Sequence, residues 1–583
     1  MLANSIFVNM LHPGIVMILM GILLLCLPKV WSKSIYVLAP IFAFTTLFAV
    51  DRESSLPYAI SDSLLIDFIH VDKLSYIFLI AFIVIAIIAC IYNTEAKTKG
   101  EMAATLIYAG CNMGVVIAAD CISLLVFWEL SALASCYVVY SGNCRKSTRA
   151  AFRYILFHAF GGGMLLWGFM SYICQYGNEL TNITNLAGTG TFWIILIGVC
   201  VNAAVPPLNS WLPDAYPEST IGGTIFLGSY TTKAAIYLLI RLFAGTQWLV
   251  WVGVFMAVYG VIMAMLENDL RRLFCYHIIS QLGYMIASLA MGGAWGIDGA
   301  SAHALNHIMY KGTLLMCAGA VVFATGKRKI NELGGLGKKM PFTAACFLIA
   351  SFAISGFPFL NGFASKALIM HAVEQGGYTL AFWLLSAASV GTWLSIVLKV
   401  NYFVFWGPTN NDVKIERELP ISMKIAMAMG SITCIVTGVV PSIVYKLTPC
   451  ATDGNPFTAE HILEYLILFT GATIVFWFFR KIMLPHDEIT LDFDWFFRRP
   501  MFKAVNGVSL WLNHSFQVFH DFVIDSVRHV SARMSDPYLV TEHNESEFIR
   551  NFSFENRDKH IGNVVEVIVG VTALMVLIVA IIK

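Results

Sequence analysis

Charge is scarce in this chain. Of 583 residues, 13% are Asp, Glu, Lys or Arg and 58% are hydrophobic. A soluble protein of this length carries far more charge, so the composition excludes an ordinary soluble domain and implies a polytopic membrane protein. The formal net charge of +1 hides an uneven distribution and gives no hint of nucleic-acid binding, so no nucleic acid is expected as a partner. None of the 13 cysteines forms a Cys-x-x-Cys pair, which removes the usual zinc and iron–sulfur frameworks. Phosphate-binding glycine loops, haem-attachment motifs, flavin fingerprints and nucleophile elbows are missing from any sensible position. No cofactor and no metal is therefore expected, and redox chemistry coupled to this chain takes place elsewhere. The first apolar run, from about Leu11 to Leu27, lacks a basic leader and a small-residue cleavage site, and reads as a retained span.

What is present is a succession of apolar runs, each near the roughly 20 residues needed to cross a bilayer. About sixteen can be counted. The loops between them alternate in charge. Basic loops hold Lys29 and Lys33; Lys97 and Lys99; Arg145, Lys146, Arg149 and Arg153; Arg271 and Arg272; Lys327 to Lys329 with Lys338 and Lys339; Lys414 and Arg417. Acidic or neutral loops hold Asp51, Glu53, Asp62, Asp67 and Asp72, then Glu179, Asp298, Glu374 and Asp453. Basic loops stay cytoplasmic, so the N-terminus is expected outside and odd-numbered spans run inward.

Two spans are interrupted. One contains Pro206-Pro207 before Trp211-Leu212-Pro213-Asp214; the other contains Gly356-Phe357-Pro358 before Asn361-Gly362 and Lys366. Proline removes a backbone donor, which at membrane depth is tolerated beside a cavity or another protein segment. An unbroken span with a lysine is expected after each, Lys233 and Lys399 respectively. Five spans separate the units, so they take opposite orientations, the pattern of an inverted repeat with ion sites at broken helices. Two unrelated kinks are the plain alternative.

Ionisable residues stand inside these apolar runs. An isolated charge there costs about 2.5–3.5 kcal/mol even on gentle scales. Glu129 ends Leu124-Leu125-Val126-Phe127-Trp128, and Lys233 lies deep in its span. Burial disfavours the ionised form of either, so each is able to hold and release a proton. A hydrogen-bonded structural glutamate and a structural ion pair are the alternatives. His303, His307 and Lys311 are spaced by four and share a helix face. Histidine relays protons through water. Purely structural hydrogen bonding is the plain alternative; His-x-x-x-His also suits a metal, but no glutamate follows the first histidine and no further ligands are evident. Lys366 follows the second break, among freed carbonyls. Lys399, about two turns from the cytoplasmic end, has the alternative of snorkelling. For His277 a simple hydrogen bond is expected.

The tail changes character. Val505, Val508, Leu512, Phe516, Phe519, Val523, Val527 and Val530 advance by three or four, with His514, His520, Asp521, Asp525 and Arg528 mostly opposite. This predicts an amphipathic helix along the cytoplasmic surface, with a plain peripheral anchor that has no partner as the equal alternative to a contact with other subunits. Ile561 to Ile582 then forms a final span that leaves the C-terminus outside.

Phe127-Trp128-Glu129-Leu130, Pro207 to Ala215, Asp269 to Leu273, Ser280 to Tyr284, His303 with His307 and Lys311, and Gly356 to Lys366 occur in family order. Over about residues 100 to 410 they resemble the antiporter-like membrane subunits shared by respiratory complex I (L, M and N types), Mrp-type sodium/proton antiporters (D and A types) and membrane-bound hydrogenases. The tail is similar to L-type members, and Tyr276 to Gln281 is closer to D-type Mrp subunits. The resemblance implies an all-α bundle of about 16 transmembrane helices with two inverted five-helix repeats. It also implies discontinuous seventh and twelfth helices, a C-terminal lateral amphipathic helix and a final transmembrane helix. The expected segments are residues 1–100 with helices 1–3; 101–245, the first repeat; 246–410, the second; 411–485, helices 14 and 15; 486–560, the lateral helix and linker; and 561–583, the last span. Glu129, Lys233, His303, His307, Lys311 and Lys366 take the family's proton-translocating positions by this resemblance, and Lys399 joins them as the lysine of the later span.

One position departs. The family's seventh helix has a lysine nine residues before the tryptophan of Trp-Leu-Pro-Asp-Ala, and here that position is Asn202. Asparagine carries no proton as a cation does, so the electrostatic gate of the first repeat looks disabled. The expected function is proton translocation, with or without Na⁺, by one membrane subunit of a larger antiporter or complex I-like assembly. The setting is a bacterial or archaeal cytoplasmic membrane. Alternatives are a scaffold or coupling subunit that does not pump, and the membrane arm of a quinone-, hydrogen- or formate-linked oxidoreductase.

Overall fold

The computed structural model describes residues 12–47, 57–61, 64–96, 98–410, 412–481, 483–484 and 492–535. They fall in two compact units, one running to Phe493 and one from Asp494. In the first, helices follow one another as α1 (Pro13–Cys26), α2 (Lys29–Thr46), α3 (Lys73–Tyr92), α4 (Lys99–Ile117), α5 (Cys121–Tyr140) and α6 (Arg145–Tyr176). Next come α7 (Gly190–Asn202), α8 (Ile221–Ser229), α9 (Thr231–Phe243), α10 (Leu249–Leu266), α11 (Leu270–Met291) and α12 (Gly293–Thr325). The unit closes with α13 (Pro341–Ser355), α14 (Asn361–Gln375), α15 (Thr379–Thr392), α16 (Ile421–Val439) and α17 (Ala459–Phe479). Ten helices among the described residues are long and apolar enough to cross a membrane, and the chain is an integral membrane protein.

Polar residues at the loop edges start the helices. Asp72, Thr98, Asp120 and Asp269 each accept hydrogen bonds from first-turn backbone N–H groups of α3, α4, α5 and α11, satisfying donors that an apolar cap leaves open. The long helices α11 and α12 are buried along nearly their whole length and form the centre. α12 packs on α11, α13, α14, α8 and α16. Gly253 and Gly283 let α10 and α11 touch backbone to backbone, since a Cβ on either would meet the other's carbonyl oxygen. Val126, Leu133 and Trp167 lie exposed on the outside of α5 and α6, the apolar surface expected against lipid.

The all-α expectation needs one amendment. Pro57–Ser61 and Leu64–Asp67 pair as an antiparallel hairpin, with Tyr58 opposite Ile66. The stretch is rich in strand-favouring side chains and too short and polar to span.

The interruptions predicted by proline are present. α7 ends at Asn202 and helix resumes only at Trp211–Ala215; α13 ends at Ser355, with Gly356 in the left-handed region at φ 86°, before α14 begins at Asn361. The two lysine spans, expected to be unbroken, are also irregular. The Lys233 span breaks at Tyr230, between α8 and α9. The break is stabilised by Tyr108, whose hydroxyl accepts the Thr231 N–H at 2.9 Å. The Lys399 span passes from α15 into a π-helical run over Trp393–Trp406.

Arg271, in the first turn of α11, fixes the segment between the first break and α8. Its guanidinium donates to the carbonyls of Ser219 and Thr220, both at 2.9 Å, and to Thr224 Oγ1. Arg271→Ala leaves these buried acceptors without a donor, so it should lower stability by about 3 kcal/mol. The readout is the thermal unfolding midpoint in detergent.

In the second unit, α18 (Phe502–Ser535) is a continuous helix over the stretch whose periodicity predicted one. The expected final span, Ile561 to Ile582, lies outside the described residues, as do Lys97, Asp51, Glu53 and Asp62.

Candidate functional site

Four lysines and three histidines occupy the buried middle of the first unit, and three of the lysines find the same kind of partner. The break at Tyr230 frees the Gly228 carbonyl, and Lys233 Nζ donates to it at 2.5 Å and to Thr232 Oγ1 at 3.1 Å. The end of α13 frees the carbonyls of Ile354 and Ser355. Lys366 Nζ donates to them at 3.0 and 3.2 Å and to Ser389 Oγ at 3.0 Å. Lys399 Nζ donates to the Met265 and Glu267 carbonyls, at 2.6 and 2.8 Å, where α10 ends. A helix C-terminus carries partial negative charge and unpaired carbonyls, so each ammonium is held by an interrupted or ending helix, and Lys399 is in addition within electrostatic reach of the Glu267 carboxylate. Lys399 is only 2% exposed, and its head group is occupied by these carbonyls.

Lys311 differs. Its Nζ is fully buried with no hydrogen-bond partner, and it lies 4.9 Å from the centre of the Phe274 ring. Among the described residues, no ion pair joins Lys233, Lys311 or Lys366 to a carboxylate.

The histidines lie between. His303 Nδ1 is 2.9 Å from Ser365 Oγ, and its Nε2 is 3.2 Å from Gln281 Oε1 and 3.3 Å from the Tyr310 hydroxyl. His307 stands one turn on along α12, its ring 6.4 Å from that of His303, with neither nitrogen hydrogen-bonded to protein. His303 is within electrostatic reach of Lys233 and Lys366, and His307 of Lys233 and Lys311. At such range, adding a proton to one base disfavours a proton on the next, so the set titrates together.

His277, expected to make only a simple hydrogen bond, does make one, 2.7 Å from Ser395 Oγ. It is also fully buried within electrostatic reach of Lys311, Lys366 and Lys399. Its place on α11, opposite three separate elements, was not visible in the chain order.

Glu129 is apart from this set. It is half-buried at the α5/α6 seam, its carboxylate lying over Gly162, where a Cβ would come 2.7 Å from Glu129 Cδ. Asn202 closes α7, 5% exposed. Beside it stands His158 on α6, which sequence reasoning passed over as one more residue of an apolar helix.

The family profile described as NADH:quinone oxidoreductase/Mrp antiporter, transmembrane, matches residues 118–395, the segment that contains Glu129, Lys233, Lys311 and Lys366. The matched segment belongs to the antiporter-like membrane subunit family. Among its relatives is the A-type subunit of the Na(+)/H(+) antiporter of Alkalihalophilus pseudofirmus, 30% identical over 67% of this chain and 54% of that one. The chain thus spans about half the length of that relative. Another is the N-type subunit of the NADH-quinone oxidoreductase of Desulforudis audaxviator, 28% identical over 59% of this chain and 74% of that one. The antiporter-like fold is also seen in solved structures. A chain of the Mrp complex from Dietzia sp. DQ12-45-1b superposes with TM-score 0.65 at 20% identity, covering 81% of this chain and 97% of that one. A chain of an archaeal membrane-bound sulfane sulfur reductase superposes with TM-score 0.66 at 22% identity, covering 80% and 99%.

Proposed function

We propose that this antiporter-like chain moves protons across the membrane as one subunit of a multi-subunit cation/proton antiporter or complex I-like assembly. The observation that carries this reading is the row of buried bases from Lys233 through His307, His303 and Lys311 to Lys366, without an ion-paired carboxylate among the described residues and coupled to one another by charge. Buried ionisable groups of this kind are costly, and they mark ion paths in membranes. In this reading a proton arriving at one base displaces the proton on the next, through water where side chains do not touch. Lys399 and His277 set the charge at the far end, and Glu129 serves the opposite end.

The finer architecture belongs to the same proposal. It has about 16 spans, two inverted repeats over residues 101–245 and 246–410, a lateral helix on the cytoplasmic side, and both termini outside the cytoplasmic membrane. Partners are other membrane subunits, and the ion exchanged for protons is a small cation such as the Na⁺ named for the Alkalihalophilus pseudofirmus relative. The test is cation-driven proton flux through the intact complex in vesicles. Lys311→Ala with Lys366→Ala should abolish it, and unchanged flux would refute the reading.

One observation favours a second reading. Asn202 has no proton to exchange, which suits a coupling subunit that no longer pumps. Asn202→Lys should then create flux where wild type has none, with the assembly unchanged.

A further inference from the structure

The first half of the molecule contains a buried base that neither the family motifs nor the row of lysines includes. His158 is 2% exposed, and its Nε2 has no hydrogen-bond partner. Its ring lies 4.1 Å from that of Tyr154 and 4.7 Å from that of Trp211, whose indole N–H donates to the Val201 carbonyl at 2.9 Å and so closes the helix break. Asn202 reaches the same space from the end of α7, within hydrogen-bonding reach of His158. Its Oδ1 is also unpartnered. Gly162, which receives the Glu129 carboxylate, is one turn from His158 on the same buried face of α6. An imidazole and an amide thus face each other at the broken helix, with a carboxylate one helical turn away.

We propose that His158 is the proton-exchanging group of the first half, standing between Glu129 and Lys233. This rests on the proton-translocating reading above. The Glu129 carboxyl gives its proton to the free imidazole nitrogen, leaving a carboxylate and an imidazolium. Once protonated, the ring has a donor to offer the unpartnered Oδ1 of Asn202, an acceptor that carries no charge of its own. The imidazolium then returns to neutral by releasing its proton inward. The Tyr154 hydroxyl stands on that side, donating to Ser135 Oγ at 2.9 Å and within reach of Thr231. Thr231 Oγ1 is 2.6 Å from the Tyr108 hydroxyl and opens α9, the helix whose first turn holds Lys233. A hydroxyl relays by taking one proton and releasing its own, so charge moves inward and each hydroxyl ends as it began. Among the described residues, Tyr154 packs directly on the ring, Tyr216 packs on the far side of Trp211, and the Glu129 carboxylate lies one turn away at Gly162.

The test uses the intact complex. In His158→Gln, proton flux should fall about 10²-fold with the unfolding midpoint unchanged, and His158→Gln with Asn202→Lys should recover flux by placing a base on the other wall. Histidine-labelled ¹⁵N spectra should contain one signal, lost in His158→Gln, that populates both neutral and protonated forms over the pH range in which the complex carries flux. Wild-type flux in His158→Gln would overturn the proposal, as would an unrecovered loss with a lowered midpoint, or a His158 signal that never titrates. A wild-type complex without proton flux would refute the functional reading, and the histidine titration would still decide the role of His158.

Discussion

Lys311→Met is expected to cut proton flux through the assembled complex by about 10²-fold or more while its thermal stability stays level or rises. Lys311 is the one lysine of the row that contributes no hydrogen bond. Methionine is similarly long and flexible and fills the same space against Phe274 without an ionisable head. Replacing buried charge by apolar volume is commonly neutral or stabilising by about 1–4 kcal/mol. Stability and transport should therefore move in opposite directions at this position. A residue kept for packing shows the reverse, a lowered unfolding midpoint with flux intact. Both quantities are measured on one preparation, as the unfolding midpoint in detergent and as dye-reported flux in vesicles.

Lys366→Arg is the second large effect, and it separates charge from proton exchange. Arginine keeps the positive charge and the donors that Ile354, Ser355 and Ser389 require, but it does not release its proton in a protein. Flux should fall by about 10²-fold, at a stability cost of only about 1–2 kcal/mol for the bulkier head group. Lys366→Ala is the less informative change. It also strands two carbonyls, at about 1–3 kcal/mol each, so a loss of flux there has two explanations. Wild-type flux in Lys366→Arg would mean that a fixed cation suffices at this position.

Much of this site could be read in the sequence because prolines and lysines in apolar runs are rare and carry clear physical meaning. Pro206-Pro207 and Gly356-Phe357-Pro358 located two interruptions, and the place of Lys366 after the second brought it beside freed carbonyls. The break at Tyr230 was not legible. No proline or glycine stands at that position, and the interruption depends on a hydroxyl from Tyr108, more than a hundred residues away. The π-helical run that contains Lys399 has no local signature either. The hairpin at Pro57–Asp67 is too brief for its alternation to stand out from a loop. His158 was missed for a different reason: a single histidine in an apolar helix looks like core. Asn202 held the available signal, since the loss of a cation at a broken helix invites a search for another base within reach.

The most direct measurement is net proton flux into vesicles holding the purified complex, with wild type, Lys311→Met and Lys366→Arg prepared side by side. Buried bases that pass protons along the row predict both variants at background flux, in complexes as fully assembled as wild type. Wild-type flux in either variant would contradict that account.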